Sequence, residues 1–131
     1  MTKTVIDCGN CGPDYNAIRK LVQSRFDAVV LQTDALEDTL ALLGQRPVDL
    51  VTVNRKLDRD YSDGLDVIRG IKADPRWAHL PVMLITNYEE HQAEAIAAGA
   101  VHGFGKLQLS DPATACLLEP YLGAPKSVPS R

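Results

Sequence analysis

The sequence predicts an α/β protein: a doubly wound, five-stranded parallel sheet built as (βα)5, with strand order 2-1-3-4-5 and helices on both faces. Two patterns carry that expectation. Residues 4–6, 28–31, 48–53 and 82–86 are short β-branched runs, nearly continuous in apolar character, as strands covered on both faces must be. Between them lie longer segments with apolar residues at helical spacing, punctuated at their ends by Gly, Pro and Asp. Residues 101–104 are read as the fifth strand, although the glycines at 103 and 105 count against it.

In chain order, the first helix is expected over residues 14–25, because it follows Gly12-Pro13 and sets Ile18, Leu21, Val22 and Phe26 at helical spacing. For the second, Asp34-Ala35-Leu36-Glu37 has the residue types of a capping box, Leu36, Leu40 and Leu43 share one stripe, and Gly44 is a natural stop. The third opens at Asp63-Gly64 and closes at Asp74-Pro75, with Trp77 expected to cap it and its loop. An alanine-rich fourth helix spans 89–98 and ends at Gly99. Ser110-Asp111-Pro112 starts the last, which Pro120 and Gly123 are expected to terminate. Residues 1–123 are thus read as one domain, and 124–131, with two prolines and two serines, as a flexible C-terminal tail.

A chain of 131 residues buries roughly two-thirds of its unfolded surface, enough for one core. With 45% hydrophobic and 24% charged residues it is neither fibrous nor disordered in composition. Its 14 basic and 17 acidic residues leave −3, and the basic ones are scattered, so no nucleic acid partner is expected. The N-terminal residues lack a signal-peptide pattern and no apolar stretch could cross a bilayer, so a cytoplasmic protein without membrane contact is expected. Cys8, Cys11 and Cys116 are too few for a disulfide framework, which suits a reducing compartment.

In such a sheet, ligands and chemistry collect at the carboxyl ends of the strands, near the point where strand order reverses. Here those positions are residues 9–12, 54–62, 86–87 and 106. Read there, the chain resembles the CheY-like receiver domains of bacterial response regulators, over residues 3–122. Val48-Asp49-Leu50-Val51-Thr52-Val53-Asn54 is similar to the family's third strand, which ends on the phospho-accepting aspartate. Leu57 and Asp63-Gly64 match the following loop and helix start, and Val82-Met83-Leu84-Ile85-Thr86 matches the fourth strand with its hydroxyl residue. Ala98-Gly99-Ala100 matches the next turn, and Lys106 the lysine that follows. The resemblance implies a flavodoxin-like fold. It also implies a site in which two carboxylates after the first strand hold a divalent cation while the third-strand aspartate forms an acyl phosphate. The lysine then pairs with the phosphate, and the hydroxyl follows it and draws an aromatic side chain inward.

The departures fall on those positions. Asn54 replaces the phospho-acceptor, and an amide cannot form the acyl phosphate. The acidic pair is replaced by Asp7-Cys8 in one register or by Asn10-Cys11 in the other. The second is preferred, because it brings Ile18 and Val22 onto the inward helical face without an insertion. Neither supplies the charge for tight Mg²⁺ binding, so no metal and no cofactor are expected. Thr86 and Lys106 are read as relics of the pocket, with Lys106 expected to lean out to solvent or to find Asp7, Asp58 or Asp60. Leu107 stands where the family has a proline, Asn87 is bulkier than the expected small residue, and the switch aromatic falls on Gly103, beside Phe104. The charged loop 55–62 is longer than the family's.

The function expected is therefore that of an atypical, non-phosphorylatable receiver. It would be a signal-transduction adaptor rather than an enzyme, working through protein contacts in a two-component pathway. The fourth helix, fifth strand and last helix are the surface that the resemblance implies for a protein partner or for a homodimer. Two alternatives stand beside it. Cys8-Gly9-Asn10-Cys11 has C-x-x-C spacing between strand and helix, which a redox or metal sensor could use with His102 as the nearest histidine, His79 and His91 reading as surface residues. Alternatively, phosphate could go to a non-standard carboxylate, Asp58 or Asp60. Cys8 is most simply a small buried apolar residue.

Overall fold

The computed structural model describes residues 2–126. Its strands are β1 (Lys3–Cys8), β2 (Ala28–Thr33), β3 (Leu50–Asn54) and β4 (Val82–Ile85). The helices are α1 (Gly12–Arg25), α2 (Leu36–Leu43), α3 (Gly64–Lys72), α4 (Glu89–Ala97) and α5 (Pro112–Leu122). All strand pairs are parallel, in the order β2-β1-β3-β4. The expected tail begins here with exposed residues 124–126, and its remainder, 127–131, lies outside the described residues.

Successive strand residues point to opposite faces, and the two faces feed two separate cores. Ile6, Cys8, Val51, Val53, Val82 and Leu84 pack with Leu65, Ile68 and Ile71 of α3, Leu43 of α2 and Ala95 of α4. Their neighbours Val5, Leu50, Met83 and Ile85 pack with Ile18 and Val22 of α1 and Leu118 and Leu122 of α5. Asp7 and Thr52 share the parity of this second set, which places two polar side chains beneath α1.

The fifth strand is corrected. Residues 101–104 make one isolated parallel bridge, Val101 to Met83, because a side chain occupies the ladder. The Val101 N–H donates to the Val82 carbonyl, whereas the Thr86 N–H donates to Phe104, one residue out of regular register. Between these bonds the buried Gln92 of α4 inserts its amide. Its Nε2 donates to Leu84 O at 3.0 Å and its Oε1 accepts from the Gly103 N–H at 2.8 Å. Gly103 itself lies so close to β4 that an added Cβ would be 2.3 Å from Leu84 O. Gly103→Ala is expected to cost at least about 2 kcal/mol, since the obstructing atom is backbone. Denaturant unfolding would show a lowered midpoint, and an unchanged midpoint would contradict this close approach.

Two helix boundaries also differ. Pro120 lies inside α5 instead of ending it. The helix continues through Leu122 because Leu118 and Leu122 both bury, and Gly123, at φ 85°, ends it with its N–H on Glu119 O. At α2 the reach-back comes from Asp38, whose carboxylate accepts from the Asp34 and Ala35 N–H groups, while Glu37 is free to meet Arg59 at 3.4 Å. Beyond α3, Trp77 sits in a single 3₁₀ turn against the first core, and Lys72 donates to the carbonyls of Trp77, Ala78 and Leu80, which holds the approach to β4.

Candidate functional site

The carboxyl end of β3 delivers Asn54 beside a cleft of about 310 Å³. The cleft gathers Asn54, Thr86 and Lys106 of the pocket expected from sequence, and its remaining lining is Arg55, Lys56, Ile85, Asn87, Tyr88 and His91. Asn54 Nδ2 donates to Lys56 O at 2.6 Å and to Gly9 O at 3.4 Å. The amide thus ties the loops after β3 and β1 together, using donors that a carboxylate lacks.

Thr86 Oγ1 accepts from the Tyr88 N–H at 3.3 Å and lies 3.1 Å from His91 Nδ1. His91 is therefore not the plain surface residue read from sequence: its ring meets that of Tyr88 edge-on, 5.4 Å between centroids. The signal available was its place two residues past the α4 start, near Thr86. Asn87 fits because Gly105 has no side chain, since a Cβ there would be 1.8 Å from Asn87 Oδ1. That oxygen accepts from the Leu107 N–H, fixing the turn that carries Lys106.

Lys106 reaches none of its expected partners. Its Nζ bonds Asp14 Oδ2 at 2.7 Å, where Asp14 stands in the first turn of α1. The hydrogen bond from Lys106 holds the Asp14 carboxyl below its ordinary range, against a smaller opposing effect of burial. Asp14 went unnoticed because it reads as a helix-start residue, and ninety-two positions separate it from the lysine. Asp58 and Asp60 are exposed and line no part of the cleft, Asp60 accepting instead from its neighbour Ser62.

Both proposed registers of the missing acidic pair converge on one buried cluster. Asp7 Oδ1 accepts from Thr52 Oγ1 at 2.8 Å and from Asn10 Nδ2 at 2.8 Å. Asp7 Oδ2 and Asn10 Oδ1 are buried without a partner. Desolvation pushes the Asp7 carboxyl from 3.8 up to about 6, opposed by those two hydrogen bonds and by the charge of Lys106. The family's divalent cation would find one carboxylate not already paired, Asp7, itself reluctant to ionise, while Asp14 is held by Lys106. The donor set does not fit such an ion. Among the described residues no three His, Cys, Asp or Glu side chains are grouped to hold a metal.

Cys11 stands at the N-cap of α1, and Cys8 is fully buried on the other face of β1, its Sγ near Ala35 O at 3.6 Å. All three thiols are free. Burial raises the Cys8 thiol further from the thiolate form, so the C-x-x-C spacing does not produce an activated nucleophile at Cys8. His102 bonds Glu89 at 3.1 Å and joins no cysteine.

The model of the response regulator receiver domain matches residues 14–108. No curated protein matches the chain in sequence. Among solved structures, NtrX from Brucella abortus is similar at 22% identity and a TM-score of 0.75, over 93% of this chain and 27% of NtrX. The phosphorylated cyanobacterial phytochrome response regulator RcpA is similar at 19% identity and a TM-score of 0.75, over 99% of this chain and 100% of RcpA. RcsB from Salmonella typhimurium shows 15% identity and a TM-score of 0.74, over 98% of this chain and 64% of RcsB. The chain thus spans about a quarter of NtrX, and at these identities the likeness concerns the fold.

Proposed function

Since the chain belongs to the response regulator receiver domain family, we propose that it is a receiver without phosphotransfer chemistry, an adaptor of a two-component pathway that acts by protein contact. The observation that carries this reading is the amide at Asn54, whose N–H donors are spent on Lys56 O and Gly9 O. An acyl phosphate requires a carboxylate at that point, and phosphoryl transfer by positioning and charge neutralisation requires a cation that this donor set does not suit. Partner contact is assigned to α4, the segment 101–107 and α5. Among the described residues that surface carries Tyr88, Ile96 and Leu107, three of the four large exposed hydrophobic side chains. A second copy of the chain is the other occupant this surface suits. No helix among the described residues is long and apolar enough to cross a membrane, and a cytoplasmic setting agrees with the receiver assignment.

Intact-mass measurement after acetyl phosphate treatment tests the reading. The wild-type chain is expected to keep its mass. A phosphoryl adduct removed by mild hydroxylamine would place an acyl phosphate on some carboxylate, Asp58 and Asp60 first among them, and the adaptor reading would fall.

A further inference from the structure

We propose that the cleft beside Asn54 is a reversible binding site for a small monocarboxylate carrying an apolar or aromatic group. The inference rests on the reading above in one respect: a cleft without covalent input is open to a non-covalent one.

Three basic side chains line the cleft and no acidic residue does. Two are already matched from outside it, Lys106 by Asp14 at 2.7 Å and Arg55 by Asp63 at 3.1 Å. Lys56 has no ion-pair partner among the described residues, so the surround keeps one uncompensated positive charge. In a receiver with an acceptor aspartate that charge would be cancelled, whereas Asn54 leaves it standing. A single negative charge is what the cleft calls for, rather than a dianion. Arg55 adds a second observation, because it lines the cleft and its Nε is buried without a partner.

The remaining lining explains why the ligand needs an apolar body. Ile85 and the rings of Tyr88 and His91 contribute carbon surface, and the two rings are held edge to face. The volume of about 310 Å³ is at the small end for ligand pockets, which favours a compact acid over a nucleotide. Glu89 and Glu90 lie in the first turn of α4 but do not line the cleft, and Glu89 is engaged with His102.

Benzoate serves as the probe, titrated into the 131-residue chain and followed by amide NMR, with benzamide and inorganic phosphate as comparators. Saturable shifts are expected at residues 54–56 and 85–91, with a Kd of about 1 mM or lower. Benzamide, of the same shape without the charge, should bind at least about fivefold more weakly, and so should phosphate. Lys56→Gln should weaken benzoate by about fivefold while leaving benzamide unchanged, and Asn54→Asp should weaken benzoate more than it weakens benzamide. Non-saturable shifts, shifts centred elsewhere, equal binding of benzamide or phosphate, or benzoate affinity unchanged in both variants would overturn the proposal. Acetyl phosphate labelling separates the two claims. Absent benzoate binding without a phosphoryl adduct sinks this inference alone, and an adduct sinks the adaptor reading whether or not benzoate binds.

Discussion

Asn54→Asp is expected to remain essentially unlabelled by acetyl phosphate, at a rate about 10²- to 10³-fold below that of a receiver with its cation in place. The substitution restores the nucleophile at the end of β3 and nothing else. A metal ion supplies several kcal/mol of charge stabilisation in phosphoryl transfer, and beside the new carboxylate stands only Asp7, reluctant to ionise, with Asp14 already paired to Lys106. The new carboxylate also inherits an awkward setting. Asn54 Nδ2 now lies 2.6 Å from the Lys56 carbonyl, where a carboxylate oxygen would meet another acceptor, so the side chain must turn and two loops lose a shared tie. Transfer should recover only when acidic residues are also introduced at positions 10 and 11, which restores the charge that the cation needs. Intact-mass time courses with millimolar Mg²⁺ decide the matter. Rapid labelling of the single variant would show that the existing cluster of Asp7 and Asn10 suffices.

The second large effect concerns Asp7. Its carboxyl is raised from 3.8 to about 6 by burial, so the folded protein holds a proton there that the unfolded chain releases. Stability from this group is fully present below pH 3.8 and is lost as pH rises through about 6, by about 3 kcal/mol in all. Asp14, Asp60 and Asp74 are held below their ordinary range, so their contributions change at lower pH and in the opposite sense. The interval between pH 4 and 7 therefore reports on Asp7. Asp7→Asn should flatten the profile there and exceed the wild type in stability at neutral pH by about 1–3 kcal/mol. The unpartnered Asn10 Oδ1 lies beside the cluster to accept from the new amide. Urea midpoints measured across that interval test this, and parallel profiles for the two proteins would refute it.

Much of the molecule was legible along the chain because burial on two faces leaves a local imprint. The β-branched runs at 28–31, 48–53 and 82–86 report strands covered on both faces, and the helical spacing of Ile18, Val22 and Phe26 reports which side of α1 faces a core. Asn54 was equally plain, since chemistry forbids an amide the acyl phosphate whatever surrounds it. The fifth strand misled because Val101 and Phe104 have strand propensity that outweighed the glycine signal, while the group that breaks its ladder, Gln92, belongs to another element.

By itself, the sequence determined the alternation of strands and helices, the apolar stripe of the first helix, and the absence of a phospho-accepting carboxylate at position 54. Only the tertiary structure decided that Lys106 pairs with Asp14, that Asp7 holds its proton to about 6, and that Gln92 replaces a ladder bond between β4 and the segment at 101–104. The division has a physical cause. Periodicity encodes the direction in which a side chain leaves its own backbone, whereas a hydrogen bond or a desolvation penalty depends on ångström-scale distances between elements, which exist only once both cores are packed.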